Sequence, residues 1–234
     1  MDGTLVALLG GFRLLHAGHA VRMSLGAEHL IAFVALRSQP VARLLVAGTL
    51  WSEVSEHRAY AALRSSLSRL DPVARKALKV DPVAVRLADE VAVDLQDARA
   101  LAHRLLGRAA TPSEHDLSLA AIGALSRDLL PGWYEDWVLL ESEDWRQLRL
   151  HALEALADRL TAAGRFGEAA LAAGAAIRVD PLRESARACL IRLHLTEGNQ
   201  GEALRQFESF SHVLQGELGL TPTPQLRKLV DPLL

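Results

Sequence analysis

The chain has 234 residues, half of them hydrophobic and few aromatic, with 26 basic against 28 acidic side chains for a net charge of −2. Ala and Leu dominate, which favours helices packed through small side chains, and no uncharged apolar run reaches the roughly 18 residues of a membrane span. The N-terminus lacks the basic-then-apolar layout of a signal peptide, and the single cysteine, Cys189, excludes an internal disulfide, so a cytoplasmic setting is expected.

In chain order, Leu5–Leu9 and Phe12–Leu15 are short apolar runs split by Gly10-Gly11, and a His16-Ala17-Gly18-His19 turn leads into Ala20–Leu25. This pattern predicts a small antiparallel meander. Ala27–Arg37 reads as a helix with Leu30, Ile31, Phe33 and Val34 inward, ended by Pro40. A second helix is expected over Val41–Trp51, burying Leu44, Leu45 and Leu50. Ser55 is the N-cap of a third, with Glu56 in its first turn; it runs to Leu70, where Asp71-Pro72 stops it. Val73–Leu78 adds one helical turn. From Lys79 to Asp94 the period becomes two, through Val80, Val83, Val85, Leu87, Val91 and Val93, which predicts a hairpin with one extra strand. Helices resume at Asp94 and continue to the end, interrupted near Gly107–Pro112, Leu130-Pro131-Gly132, Gly164, Asp180-Pro181, Gly198 and Gly219–Pro224. A domain boundary is therefore expected near residue 94, dividing the chain into 1–93 and 94–234.

The second of these halves contains an echo. Gly164-Arg165-Phe166-Gly167-Glu168-Ala169 recurs 34 residues later as Gly198-Asn199-Gln200-Gly201-Glu202-Ala203. That offset is the period of a tetratricopeptide helix pair. Each leading Gly falls where one helix ends, and each Glu near the positive start of the next. Such pairs stack into surfaces that hold other macromolecules, so docking is expected of this half rather than chemistry. The fold class is then mainly α with a small antiparallel β component, a winged helix-turn-helix followed by an all-α tetratricopeptide-like domain.

Charge is unevenly spread. His57–Lys79 carries Arg58, Arg64, Arg69, Arg75, Lys76 and Lys79 against Asp71 alone, whereas Asp128–Asp144 has only acids. A basic segment in a near-neutral protein suits a polyanion, although a solvated helix face has the same look. The third helix separates the two. Tyr60, Leu63, Leu67 and Leu70 form its apolar stripe, and opposite lie Arg58, Ala61, Ala62, Ser65 and Arg69, flanked by Arg64 and Ser68. A helix in a major groove needs small residues where its backbone nears the bases, and Arg or Ser to reach base edges and phosphates. A helix, a turn, this helix and a hairpin spell a winged helix. Arg58, Arg64, Ser65 and Arg69 are the candidate readers, with Ala61 and Ser68 beside them. Arg75, Lys76, Lys79 and Arg86 are the candidate phosphate contacts.

The meander, the Gly48-Thr49-Leu50-Trp51 step, the Ala62–Leu70 helix and the hairpin resemble the OmpR/PhoB-type winged helix. Leu129-Leu130-Pro131-Gly132-Trp133-Tyr134-Glu135-Asp136-Trp137-Val138 looks like the bacterial transcriptional activator domain. So do Gly201-Glu202-Ala203-Leu204-Arg205-Gln206-Phe207 and Gly216-Glu217-Leu218-Gly219-Leu220-Thr221-Pro222. Together they resemble the Streptomyces antibiotic regulatory protein family over nearly the whole chain. The resemblance implies a non-enzymatic, nucleoid-associated transcriptional activator, often of secondary-metabolite genes. Such proteins bind promoter direct repeats in double-stranded DNA, where a second protomer can join, and help recruit RNA polymerase holoenzyme. This chain departs from the family where Asp71-Pro72 interrupts the usual arginines and where the short hairpin carries Asp81, Asp89 and Glu90. Both departures lower the expected number of phosphate contacts.

Other chemistry is weakly signalled. His16 and His19 lie in a turn without Cys or acidic partners, so no metal site is expected. Asp97, His103 and Glu114-His115-Asp116 lack a nucleophile and read as surface charge. Gly10-Gly11 lacks the rest of a phosphate loop, and no cofactor is implied. Trp133, Trp137 and Trp145 are expected to pack the first helices of the C-terminal half, although they could line a ligand pocket. Cys189 reads as a small buried hydrophobe. Two further readings stay open: an interaction scaffold with a degenerate winged helix, and a regulator responsive to a small molecule near the tryptophans.

Overall fold

The structure, a computed structural model, describes residues 3–107 and 112–233. It forms two compact units: the chain up to Asp97 together with Asp128–Asp144, and Ala98–Arg127 together with the chain from Trp145 onward.

The first unit opens with the expected meander. β1 (Thr4–Ala7) pairs antiparallel with β2 (Arg13–His16), and β2 with β3 (His19–Ala20). Ala17 at φ 50° and Gly18 at φ 81° form the two-residue turn, the double positive φ whose twist suits flanking strands. α1 (Leu25–Ala35) follows, with every residue from Leu30 to Leu36 buried. A helix apolar on all sides belongs in a core. β4 (Val41–Ala42) leads into α2 (Arg43–Leu50), which buries Val46 and Ala47 and packs on α3 (Glu56–Ser68). Leu44 and Leu45, expected inside, are 54% and 56% exposed. In so short a helix the apolar spacing fits two neighbouring faces, and the contact with α3 selects the Val46–Ala47 one. α4 (Pro72–Lys76) is capped by the Asp71 carboxylate, which accepts the Val73 N–H at 2.8 Å.

β5 (Leu78–Val80) and β6 (Ala84–Leu87) form the hairpin, and β4 pairs antiparallel with β6 to give the order β4-β6-β5. The extra strand expected there, β7 (Val91–Val93), leaves that sheet and lies parallel beside β1, with Val6 opposite Val93. Asp94, directly after β7, anchors it. Its Oδ1 accepts the Leu8 N–H at 2.8 Å and its Oδ2 the Leu9 N–H at 3.2 Å.

Asp128–Asp144 completes this unit. The Gly10 N–H donates to the Asp128 carbonyl at 2.8 Å and the Leu130 N–H to the Leu8 carbonyl at 2.9 Å. Trp133 and Trp137 pack here, against His29 at 4.4 Å and Phe33 at 5.2 Å between ring centroids. They do not pack the helices of the C-terminal half as expected. A contact about a hundred residues away in sequence leaves no local trace. Trp145 alone belongs to the second unit, donating its Nε1–H to the Arg127 carbonyl at 2.9 Å.

The division between units falls within α5 (Asp94–Leu106) and α7 (Asp136–Ala162), with α6 (Leu119–Leu125) between them. Arg108–Thr111, in the expected break at Gly107–Pro112, lie outside the described residues. α8 (Phe166–Val179), α9 (Glu184–Glu197), α10 (Gln200–Leu218) and α11 (Pro224–Val230) complete a tetratricopeptide-like stack. Gly164, Gly198 and Gly219 have φ of 72°, 85° and 67°, the left-handed helix ends that a Cβ would disfavour. Ala169, Ala172, Ala173, Ala175 and Ala176 are buried on α8, so small side chains set its close approach to α9. Ile191, Ala203, Phe210, Leu214, Leu226 and Val230 form the core of the last turns.

Candidate nucleic-acid interface

α3 orients the candidate readers. Ser55 stands at the N-cap with extended backbone, although its hydroxyl makes no capping bond. Ala59, Leu63 and Leu67 are buried and Tyr60 and Leu70 half-buried, which leaves Arg58, Arg64, Ser68 and Arg69 exposed and Ala61 and Ser65 half-buried. The expected stripe is thus observed, with Ala59 as an added inward member. The Arg64 guanidinium lies 6.0 Å from the Tyr60 ring centroid and that of Arg43 lies 5.3 Å from it. At the helix end, Ser68 Oγ donates to the Ser65 carbonyl at 2.9 Å and Arg69 Nε to the same oxygen at 3.2 Å. Ser68 therefore braces the last turn, while the terminal nitrogens of Arg69 stay available. Among the described residues, Arg58, Arg64 and Arg69 form no ion pair. The second unit differs: there Arg183 pairs with Glu154 at 2.6 Å, Arg192 with Asp158 at 3.0 Å and Arg205 with Glu202 at 2.5 Å.

The candidate phosphate contacts divide. Lys76 is exposed and has no partner among the described residues. Arg75 Nη1 donates to the Leu67 carbonyl at 2.8 Å, so it ties α4 to the end of α3. Lys79 Nζ lies 2.6 Å from Asp89 Oδ2, and Arg86 pairs with Asp89 Oδ1. Those two bonds, Arg86 foremost, hold the Asp89 carboxyl down at about 2. Asp81 is spent within the β5–β6 turn. Its Oδ1 accepts the Val83 and Ala84 N–H groups at 2.8 and 2.7 Å, which, with Arg43 and Arg86 nearby, keep its carboxyl below the usual range.

Arg43 and Arg22 are the basic residues that sequence reasoning overlooked. Arg43 Nη1 also donates to the Asp81 carbonyl at 3.3 Å, linking α2, α3 and the hairpin turn. Arg22, with Ser24, Trp51, Ser66, Arg69 and Asp71, borders a cavity of about 650 Å³ within the same unit. Neither arginine lies in the basic run that drew attention, and only the fold carries them to α3.

Elsewhere, His16 Nδ1 is 3.0 Å from Thr4 Oγ1, a strand-pair contact. Among the described residues no three His, Cys, Asp or Glu side chains stand close enough to hold a metal. Asp116 is not surface charge. It is 4% exposed and accepts from Arg104 Nη2 at 2.8 Å and from Ser113 N–H and Oγ at 3.1 and 2.9 Å. Cys189 is 4% exposed, and burial pushes its thiol up to about 12, which makes it inert. Among the described residues no helix is long and apolar enough to cross a membrane.

The bacterial transcriptional activator domain family is matched over residues 92–234. The regulatory protein AfsR of Streptomyces coelicolor is 30% identical over 194 residues, and that of Streptomyces griseus 31% over 200; each alignment covers 79% of this chain and 19% of the relative. The chain thus spans about a fifth of the length of these relatives. A solved structure of Mycobacterium tuberculosis EmbR, in complex with a low-affinity phosphopeptide, matches with a TM-score of 0.69 at 21% identity, over 99% of this chain and 65% of that one. At that identity the likeness is one of fold, a winged helix followed by a tetratricopeptide-like array. The chain belongs to the bacterial transcriptional activator domain family and, within it, to the Streptomyces antibiotic regulatory protein group of transcriptional regulators.

Proposed function

We propose that the protein is a sequence-specific DNA-binding activator, cytoplasmic and without enzymatic activity, that acts on secondary-metabolite genes. Residues 1–93 would bind promoter direct repeats, and residues 94–234 would engage RNA polymerase holoenzyme or a second protomer on DNA. Arg58, Arg64, Ser65 and Arg69 would read bases, with Ala61 and Ser68 allowing close approach. Arg75, Lys76, Lys79 and Arg86 would contact phosphates. The observation that carries this reading is the outer face of α3, where three exposed arginines stand among small side chains with no carboxylate paired to them among the described residues. Unpaired guanidinium groups keep their forked donors for guanine edges and phosphates.

A second reading, an interaction scaffold that no longer grips DNA, draws on Asp89, which occupies two of the four candidate phosphate contacts. One assay decides. The full chain is titrated onto promoter duplexes from adjacent genes and onto scrambled duplexes across a range of salt. An activator gives a preference for promoter DNA and an affinity that falls as salt rises. Absence of any salt-sensitive binding leaves the scaffold. Trp137 and Trp145 are 8% and 1% exposed and packed, and the half-buried Trp133 rests on His29, so the reading with a ligand pocket draws no support from them.

A further inference from the structure

We infer that Asp89 acts as an internal stand-in for a DNA phosphate, holding Lys79 and Arg86 so that the hairpin grips DNA only where the carboxylate is displaced. This rests on the DNA-binding reading above and concerns what sets its strength.

Lys79 on β5 and Arg86 on β6 are direct cross-strand partners. Two like charges facing one another across an antiparallel pair repel. Asp89, in the turn after β6, relieves this by giving one carboxylate oxygen to each cation. The trio is at the surface, with Asp89, Lys79 and Arg86 side chains 70%, 45% and 39% exposed. Ion pairs so placed are weak and sensitive to salt. A row of backbone phosphates can therefore replace a single carboxylate. The fold does not lean on Asp89, because Asp81 closes the hairpin turn and the β5–β6 ladder is made by main-chain bonds. Glu90, exposed beside it, touches neither cation. The arrangement predicts a hairpin whose cations are largely spent in the free protein, and a DNA affinity held below what its basic residues would otherwise give.

The test compares the full-length wild type, Asp89→Asn, Glu90→Gln and the Lys79→Ala/Arg86→Ala pair alone and with Asp89→Asn, by fluorescence anisotropy on promoter and scrambled duplexes between about 50 and 200 mM salt. Circular dichroism checks folding, and Asp89→Ala repeats the test if the amide disturbs the turn. Asp89→Asn is expected to bind both duplexes about three- to tenfold more tightly and to steepen the dependence of log affinity on log salt by roughly one to two. Glu90→Gln should do much less. The gain should vanish when Lys79 and Arg86 are also removed. Equal or weaker binding by Asp89→Asn, an equal gain from Glu90→Gln, or a gain that survives loss of both cations would overturn the inference. If neither the wild type nor Asp89→Asn binds DNA in a salt-sensitive way, the DNA-binding reading falls and takes this with it. If the wild type binds and Asp89→Asn binds no more tightly, the inference alone falls.

Discussion

Arg64 and Lys76 are both exposed cations of the first unit, yet their surroundings assign them different work. Arg64 is carried on a packed helix and its guanidinium lies near the Tyr60 ring, which limits the rotamers it must give up on binding. Lys76, at the end of the five-residue α4, is a mobile point charge. Arg64→Ala is therefore expected to cost about 1–3 kcal/mol on promoter DNA and much less on scrambled DNA, eroding the preference between them. Lys76→Ala should weaken both alike and reduce the salt slope by about one. Competition titrations with the two duplexes measure each, and a uniform loss for Arg64→Ala would move that residue to the phosphates. The stripe that points Arg64 outward was legible from spacing alone. What Lys79 and Arg86 touch was not, because Asp89 meets them only once β5 and β6 are in register.

At the scale of elements, ends were more legible than partners. Gly164, Gly198 and Gly219 mark helix ends by a local conformational need that sequence displays directly. The partner of β7 was hidden, since three residues with period two fit any open edge, and the choice of β1 depends on an anchor beside β7 whose partners, Leu8 and Leu9, are some 85 residues away. Asp94 is that anchor. Leu8 and Leu9 are 0% and 2% exposed, so their N–H groups would be buried without an acceptor once the carboxylate is gone. Asp94→Ala is expected to lower stability by about 2–3 kcal/mol, read as an earlier urea midpoint with an unchanged slope. Asp94→Asn, which keeps one acceptor oxygen, should recover part of the loss. A cost below about 0.5 kcal/mol would mean that other contacts hold β7 in place.

For the whole molecule, the sequence suggested one cut near residue 94, whereas Asp128–Asp144 packs with the first unit. Its acidic run, which sequence shows only as carboxylates without bases, is partly consumed there, with Glu135 3.2 Å from His29 and Glu141 2.8 Å from Arg37. Sequence shows where charge accumulates; only the fold shows what it meets. Asp116 carries the same lesson into the pH dependence of stability. Arg104 first, and then the Ser113 N–H and hydroxyl, hold its carboxyl at about 2, below the ordinary value of 3.8. Because the folded value is the lower one, this carboxylate stabilises the fold above about pH 4, and the contribution fades as pH falls toward 2. Asp116→Asn should cost about 1–2 kcal/mol at neutral pH, a drop of about 2–8 °C in melting temperature for a chain of this size. In thermal melts across pH, the gap between wild type and Asp116→Asn should narrow from about pH 4 downward and be mostly, though not wholly, gone by about pH 2. A gap that stays constant to pH 2 would assign the loss to packing in the Ser113–Ser118 loop instead of to the charge.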